Sequence, residues 1–297
     1  MEDTSLALVE RIFLTVFPLV AIVSVGFFYG RARKPDMSAA NQINMDLFCP
    51  ALIFSVLSSK SFDLATYQNL AIGAAIVVLG SGLLLWPLCR IIGVKAKTFL
   101  PPMMFSNSGN LGLPLIVLAF GEEALPVAVL LFLIENTLHF SVGVYLLDHR
   151  THPASLFKIP MIQASILGLV WSAFDLPLPE AVNTFISMLG QVSIPLMLFA
   201  LGVRMISVDF SKWRIGIIGA LLCPISGVII ALCLQPILQL TEIQLGYLIL
   251  FGALPPAVLN YMVAERYNQE PEQVASIVLL GNMGSLITIP LTLAFVL

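Results

Sequence analysis

Long apolar runs follow one another along the whole chain, each closed by charged residues or by clusters of Pro and Gly. A bilayer-spanning helix needs roughly 20 apolar residues. On that scale the first half predicts spans at 9–30, 37–59, 67–92, 98–120 and 125–147. The second half predicts spans at 160–175, 181–206, 213–238, 243–265 and 273–297, the sixth of the ten being short. Two runs are interrupted at corresponding places. The fourth carries Ser106-Asn107-Ser108-Gly109-Asn110-Leu111-Gly112-Leu113-Pro114, and the ninth carries Leu254-Pro255-Pro256-Ala257-Val258-Leu259-Asn260-Tyr261. Proline removes a backbone donor and disrupts the preceding turn, while glycine permits the conformations that restart a chain. Open backbone at membrane depth is tolerated only where protein buries it or where it lines a cavity. A matched pair of such breaks points to a secondary transporter's binding site near the midplane.

Composition narrows the class. Of the 297 residues 59% are hydrophobic and only 10% charged, where soluble domains carry about a quarter charged residues. The mean hydropathy is +0.98. An all-α polytopic membrane protein is predicted, with no stretch polar enough for a soluble domain. The first apolar run has no basic segment before it and no small-x-small site after it, so it is expected to be a retained span. Cys49, Cys89, Cys223 and Cys233 all lie in apolar runs without metal or CxxC spacing and are expected to be small buried hydrophobes.

The cations set the orientation. Arg31, Arg33 and Lys34 follow span 1; Arg90, Lys95 and Lys97 follow span 3; Arg150 and Lys158 follow span 5. Arg204, Lys212 and Arg214 follow span 7, and Arg266 follows span 9, which leaves only Arg11 and Lys60 of the 14 for the other side. By the positive-inside rule the five cation-bearing loops are cytoplasmic and both termini lie outside. Five spans per half then make the second half upside down relative to the first. Traces of duplication agree: Phe17-Pro18 with Gly26 matches Ile159-Pro160 with Gly168, and Cys49-Pro50-Ala51-Leu52-Ile53-Phe54 matches Ile194-Pro195-Leu196-Met197-Leu198-Phe199. Asn136 and Asn282 end matching apolar runs in spans 5 and 10. The repeats are 1–147 and 160–297, with a short cytoplasmic loop at 148–159 that holds His149 and His152.

The chemistry gathers at the breaks. The start of a half-helix favours an anion, and Asn107, Asn110 and Asn260 supply neutral donors and acceptors beside it. The same asparagines could serve only to satisfy freed backbone or to join helices. No Lys or Arg is read as sitting inside a span, so an anion would rely on helix dipoles and amides. Asp46 in span 2 and Glu135 in span 5, with His139 one turn beyond Glu135, are candidates to carry a coupling ion. Asp46 could equally pair with Arg31 or Arg33, and Glu135 could be a structural hydrogen-bonded acid. Tyr261 faces a ligand or covers the crossover; packing alone can account for Asn183, Gln191, Ser193 and, least clearly, Asn282. No metal site, cofactor, catalytic residue or nucleic-acid partner is expected.

On Asn107-Ser108-Gly109-Asn110-Leu111-Gly112-Leu113-Pro114, Pro255-Pro256-Ala257-Val258-Leu259-Asn260-Tyr261 and Gly281-Asn282, the chain resembles the auxin efflux carrier family over nearly its whole length. That family includes prokaryotic permeases and plant PIN-FORMED exporters. The resemblance implies two inverted five-helix repeats and an elevator mechanism. Spans 1, 2, 6 and 7 would form a dimerising scaffold, and spans 3–5 and 8–10 would form the moving unit. A small organic anion would bind where the broken spans cross. Asn107, Asn110, Gly112, Pro114, Pro255, Pro256, Asn260 and Tyr261 would form that crossing, with Asn136 and Asn282 facing it. The partners implied are the lipid bilayer of the cell membrane, a second copy of the chain, and a coupled proton or sodium ion. Plant exporters of the long type have a large loop between spans 5 and 6, which is short here, as expected of the prokaryotic branch. Malate, malonate and auxin-like acids are all plausible cargo. Other readings remain open: a cation/proton antiporter, although the breaks carry asparagines rather than adjacent carboxylates; an integral membrane lipid enzyme, although no paired-aspartate, HExxH or nucleophile-elbow motif is present; or a channel or sensor.

Overall fold

The structure, a computed structural model, describes residues 2–59, 66–148, 153–206 and 212–297. Lys60, His149, Arg150 and His152 lie outside the described residues. Among those described, everything regular is helical apart from one isolated antiparallel bridge. The helices are α1 (Glu2–Arg33), α2 (Ser38–Leu57), α3 (Gln68–Ile92), α4 (Ala96–Met104), α5 (Ser108–Phe120) and α6 (Glu122–Leu147). The second half holds α7 (Pro160–Ala173), α8 (Glu180–Arg204), α9 (Trp213–Leu238), α10 (Glu242–Gly252), α11 (Leu259–Arg266) and α12 (Pro271–Val296).

Seven of these are long and apolar enough to cross a membrane: α1, α2, α3, α6, α8, α9 and α12. Three shorter apolar helices of 10–17 residues, α5, α7 and α10, accompany them. The fourth and ninth expected spans are therefore not continuous helices, because the Pro/Gly motifs divide them into α4/α5 and α10/α11. Element ends follow local chemistry. Gly93 (φ 69°) stops α3 in the left-handed region, Pro160 opens α7, and Thr241 with Gln244 forms a reciprocal capping box at α10.

Helix packing uses glycines as contact points, as expected where lipid offers no hydrophobic drive and close backbone approach supplies the attraction. A Cβ on Gly26 of α1 would strike the backbone of Phe199 on α8. Correspondingly, one on Gly168 of α7 would crowd Leu57 and Phe54 of α2. Gly227 of α9 and Gly252 of α10 lie backbone to backbone. α1 packs chiefly on α8, and α2 on α7 and α8; α9 packs on α12, α10 and α3, and α3 also packs on α4 and α6. Between the groups, Arg11 Nη2 donates to the Ala119 carbonyl at 3.0 Å, so α1 holds the last turn of α5.

Phe28, Leu83, Ile91, Ile237 and Leu291 are among many large apolar side chains that stand exposed, which suits a lipid-facing surface. Cys49, Cys89 and Cys223 are buried as expected, but Cys233 is exposed. An apolar run covers every face of a membrane helix, so the run alone did not distinguish the outward face from the inward one.

Candidate functional site

At each break the helix stops, a short non-helical stretch follows (105–107 and 253–258), and a new helix starts. The two extended stretches cross and pair. Asn107 N donates to Pro255 O at 2.7 Å, and Ala257 N donates to Phe105 O at 2.9 Å, around the bridge of Ser106 with Pro256. Backbone groups that a broken helix would orphan are thereby satisfied by the other half of the chain. α4 and α10 end at this crossing and α5 and α11 begin there, so two helix starts direct partial positive charge into it.

Three asparagines hold the crossing together. Asn282 Nδ2 donates to Pro256 O at 2.9 Å and to Val278 O at 2.7 Å, while its Oδ1 accepts from Asn107 Nδ2 at 2.8 Å. Asn260 Nδ2 donates to Phe105 O at 2.8 Å and Ala257 O at 3.0 Å. Gly281 leaves room for the Pro256 ring, and Gly112 for Leu254. Pro114, Pro255 and Pro256 are buried in this frame.

Beside the crossing lies a cavity of about 480 Å³, lined by Asn107, Asn110, Glu135, Asn136 and His139 among others. Asn110 is half-buried there, and its side chain makes no hydrogen bond to the described residues. Its register mate, four residues after Pro256 as Asn110 is four after Ser106, is Asn260, which is 2% exposed and turned into the frame. Of the predicted residues, Asn107, Asn110 and Asn136 therefore face the cavity, and Gly112, Pro114, Pro255, Pro256 and Asn260 stand behind it. Tyr261 and Asn282 line a second cavity of about 520 Å³. Tyr261 donates its hydroxyl to Glu265 Oε1 at 3.1 Å.

The acids separate as well. Glu135 is 2% exposed; its Oε2 accepts from Ser108 Oγ at 2.7 Å and from Asn136 Nδ2 at 3.1 Å. Its Oε1 and His139 Nδ1 are 3.6 Å apart, and both lack a hydrogen-bond partner. The His139 ring stacks on Phe105, with centroids 4.2 Å apart, which fixes it against the crossing. No third His, Cys, Asp or Glu among the described residues completes a metal site. Asp46 is exposed and does not line the cavity. Asn44, two residues earlier, lines it at 5% exposure with Oδ1 unpartnered.

Asn44, Asn110 and His139 share one local feature: each lies in a widened π-type turn, at Asn44–Phe48, Ser108–Gly112 and His139–Gly143. Such turns displace side chains from regular helical register and occur often at functional sites. Sequence reading missed Asn44, Ser108 and Phe105. Asn44 and Ser108 were visible only as polar neighbours of residues already singled out, and Phe105 gave no signal. It also counted Arg204 with the loop cations although span 7 reached 206; the residue ends α8 and lines both cavities, its Nη1 3.4 Å from Met262 Sδ.

The family model described as "Membrane transport protein" matches residues 11–156 and 146–293. The chain is 25% identical over 93% of its length to an "Uncharacterized transporter" of Methanothermobacter thermautotrophicus, of which 96% is covered. It is 23% identical to a "Putative malonate transporter" of Rhizobium meliloti, with 92% of each chain covered. It is 22% identical to "Auxin efflux carrier component 8" of Arabidopsis thaliana, with 94% of each covered.

Proposed function

We propose that this chain, which belongs to the membrane transport protein family of auxin efflux carrier-like transporters, is a secondary carrier that binds a small organic anion beside its helix crossing. The family consists of multi-pass membrane transporters, not enzymes. The observation that carries the reading is the 480 Å³ cavity itself, into which Asn110 and several unpartnered buried polar atoms face next to two helix starts. Unsatisfied polar groups are costly in a low-dielectric site; the Asn110 carboxamide can donate to a carboxylate, while Asn44 Oδ1 and Glu135 Oε1 are acceptors that a proton or a donor group of the ligand would satisfy. The names of the Rhizobium and Arabidopsis relatives favour a carboxylic acid, from malonate-like to auxin-like.

On this reading all ten apolar segments span, as two inverted repeats with both termini outside the cell membrane. Paired contacts support the duplication: Gly26 meets Phe199 as Gly168 meets Phe54, and Asn136 bonds the Phe132 carbonyl as Asn282 bonds that of Val278. α1, α2, α7 and α8 are the scaffold and dimer-forming part; α3–α6 and α9–α12 move as one body and carry the crossing across the membrane. Alternating access of this kind needs no large change within either body. Glu135 with His139 takes the coupling ion.

A cation/proton antiporter is the second reading, favoured by the buried Glu135–His139 pair with two unpartnered atoms. Thermal unfolding of the detergent-purified protein separates the two, because a ligand of the folded state alone raises apparent stability. Stabilisation by malonate or indole-3-acetate, lost in Asn110→Ala, supports the anion carrier. Stabilisation by sodium or pH alone supports the antiporter.

A further inference from the structure

The cavity holds a cation that no described residue neutralises. Arg204 ends α8, and its guanidinium donates to the thioether of Met262 on α11, a weak acceptor. No carboxylate among the described residues pairs with it; Glu135 lines one of its two cavities and Glu272 the other, without contact to the guanidinium. Arg33 and Lys97 are exposed, whereas Arg204 is half-buried. Its surroundings are largely apolar, with Met45, Met161, Met197 and Met262 on the cavity wall. A guanidinium held among apolar walls without an anion is costly, and intramembrane cations normally pair or serve a pathway. A second, independent feature points to a ligand: Asn44, 95% buried on α2, lines the same cavity with its Oδ1 unpartnered.

We propose that Arg204 is the side chain that recognises the substrate's carboxylate, so that charge selectivity is set from α8 and not from the crossing. The planar guanidinium offers parallel N–H donors that match the two oxygens of a carboxylate. The apolar wall then receives the body of the acid, with flexible methionines adapting to its shape, and Asn110 reaches it from the opposite group of helices. One anion held at once from α8 and from α5 links the two groups of helices, which makes occupancy of the cavity sensitive to their relative position. This rests on the carrier reading only in taking the cavity as the binding site.

The test compares acids with their neutral amides: malonate with malonamide, benzoate with benzamide, and indole-3-acetate with indole-3-acetamide. Affinities are measured on the full-length purified protein. Wild type should bind at least one acid about 10- to 100-fold more tightly than its amide, the range for a charge-assisted hydrogen-bonded contact. Arg204→Gln should bring that ratio to near one by weakening the acid and sparing the amide, and Arg204→Lys should keep part of it. An acid/amide ratio unchanged in Arg204→Gln would overturn the proposal, as would a wild type that distinguishes none of the three pairs. Asn110→Ala measured alongside separates the two claims. If it loses binding while Arg204→Gln keeps the full ratio, the crossing stands and the Arg204 assignment falls. If Asn110→Ala binds normally and Arg204→Gln loses the ratio, the reverse holds.

Discussion

Asn107 and Asn282, 175 residues apart in the chain, share a buried hydrogen bond of 2.8 Å from Nδ2 to Oδ1. The bond joins the first interrupted helix to the last helix, while the other end of Asn282 bonds Pro256 in the second interruption. One carboxamide thus fixes both extended stretches at once, and the cavity inherits its shape from that frame.

Asn282→Ala should therefore weaken the frame and only secondarily the binding. It leaves the Pro256 carbonyl and the Asn107 amide without partners, a cost of about 1–3 kcal/mol for a buried orphan. A clear fall in the apparent melting temperature of ligand-free protein is the expected result, and an unchanged value would contradict the framing role.

Glu135→Gln keeps an acceptor for Ser108 and Asn136, so the protein should remain folded. It cannot carry a proton to or from His139. Transport measured from pH 5 to pH 8 should lose its pH dependence, and a profile that overlays wild type would remove Glu135 from the coupling role.

Gly227→Ala tests the close approach of α9 and α10. The new methyl would meet the backbone at Gly252, and overpacking of this kind costs about 1–3 kcal/mol. The melting temperature should fall even though alanine is the better helix former.

Glu270 ties the start of α12 to α4: Thr98 donates to its carboxylate and Lys95 Nζ lies 3.0 Å away. The Thr98 hydrogen bond, with Lys95 behind it, holds the carboxyl below its ordinary value of 4.5. A depressed folded-state value gives stability that is present above the unfolded value and lost as pH falls through the folded one. Glu270→Gln should lower stability slightly at pH 7, by no more than about 1 kcal/mol for so exposed a pair. The difference from wild type should close in acid, and a difference that grows in acid would reverse the sign of this account.

The breaks were legible in the sequence because Pro255, Pro256, Gly109 and Gly112 act on their own turns, whatever surrounds them. The paired glycines and prolines carried the expectation of a repeat for the same reason. What the chain did not reveal was which face each polar residue takes. Asn110 and Asn260 occupy matching places, yet one opens to the cavity and the other locks the frame, because tertiary pairing at 105–107 and 255–257 decides it. Asp46 was singled out over Asn44 for its charge, but the widened turn at Asn44–Phe48 brings the amide, not the acid, to the cavity. Arg204 was counted with the loop cations because it closes the apolar run; the structure instead sets its guanidinium against Met262 of α11, on the wall of two cavities.

The central claim is most directly tested by counterflow in proteoliposomes. Vesicles preloaded with unlabelled malonate or indole-3-acetate should take up the same labelled acid faster than unloaded vesicles. Asn110→Ala, which loses no hydrogen bond of the fold, should abolish that stimulation at an unchanged melting temperature. Uptake no greater than in protein-free vesicles for either acid, or full counterflow by Asn110→Ala, would contradict an anion carrier working at the helix crossing.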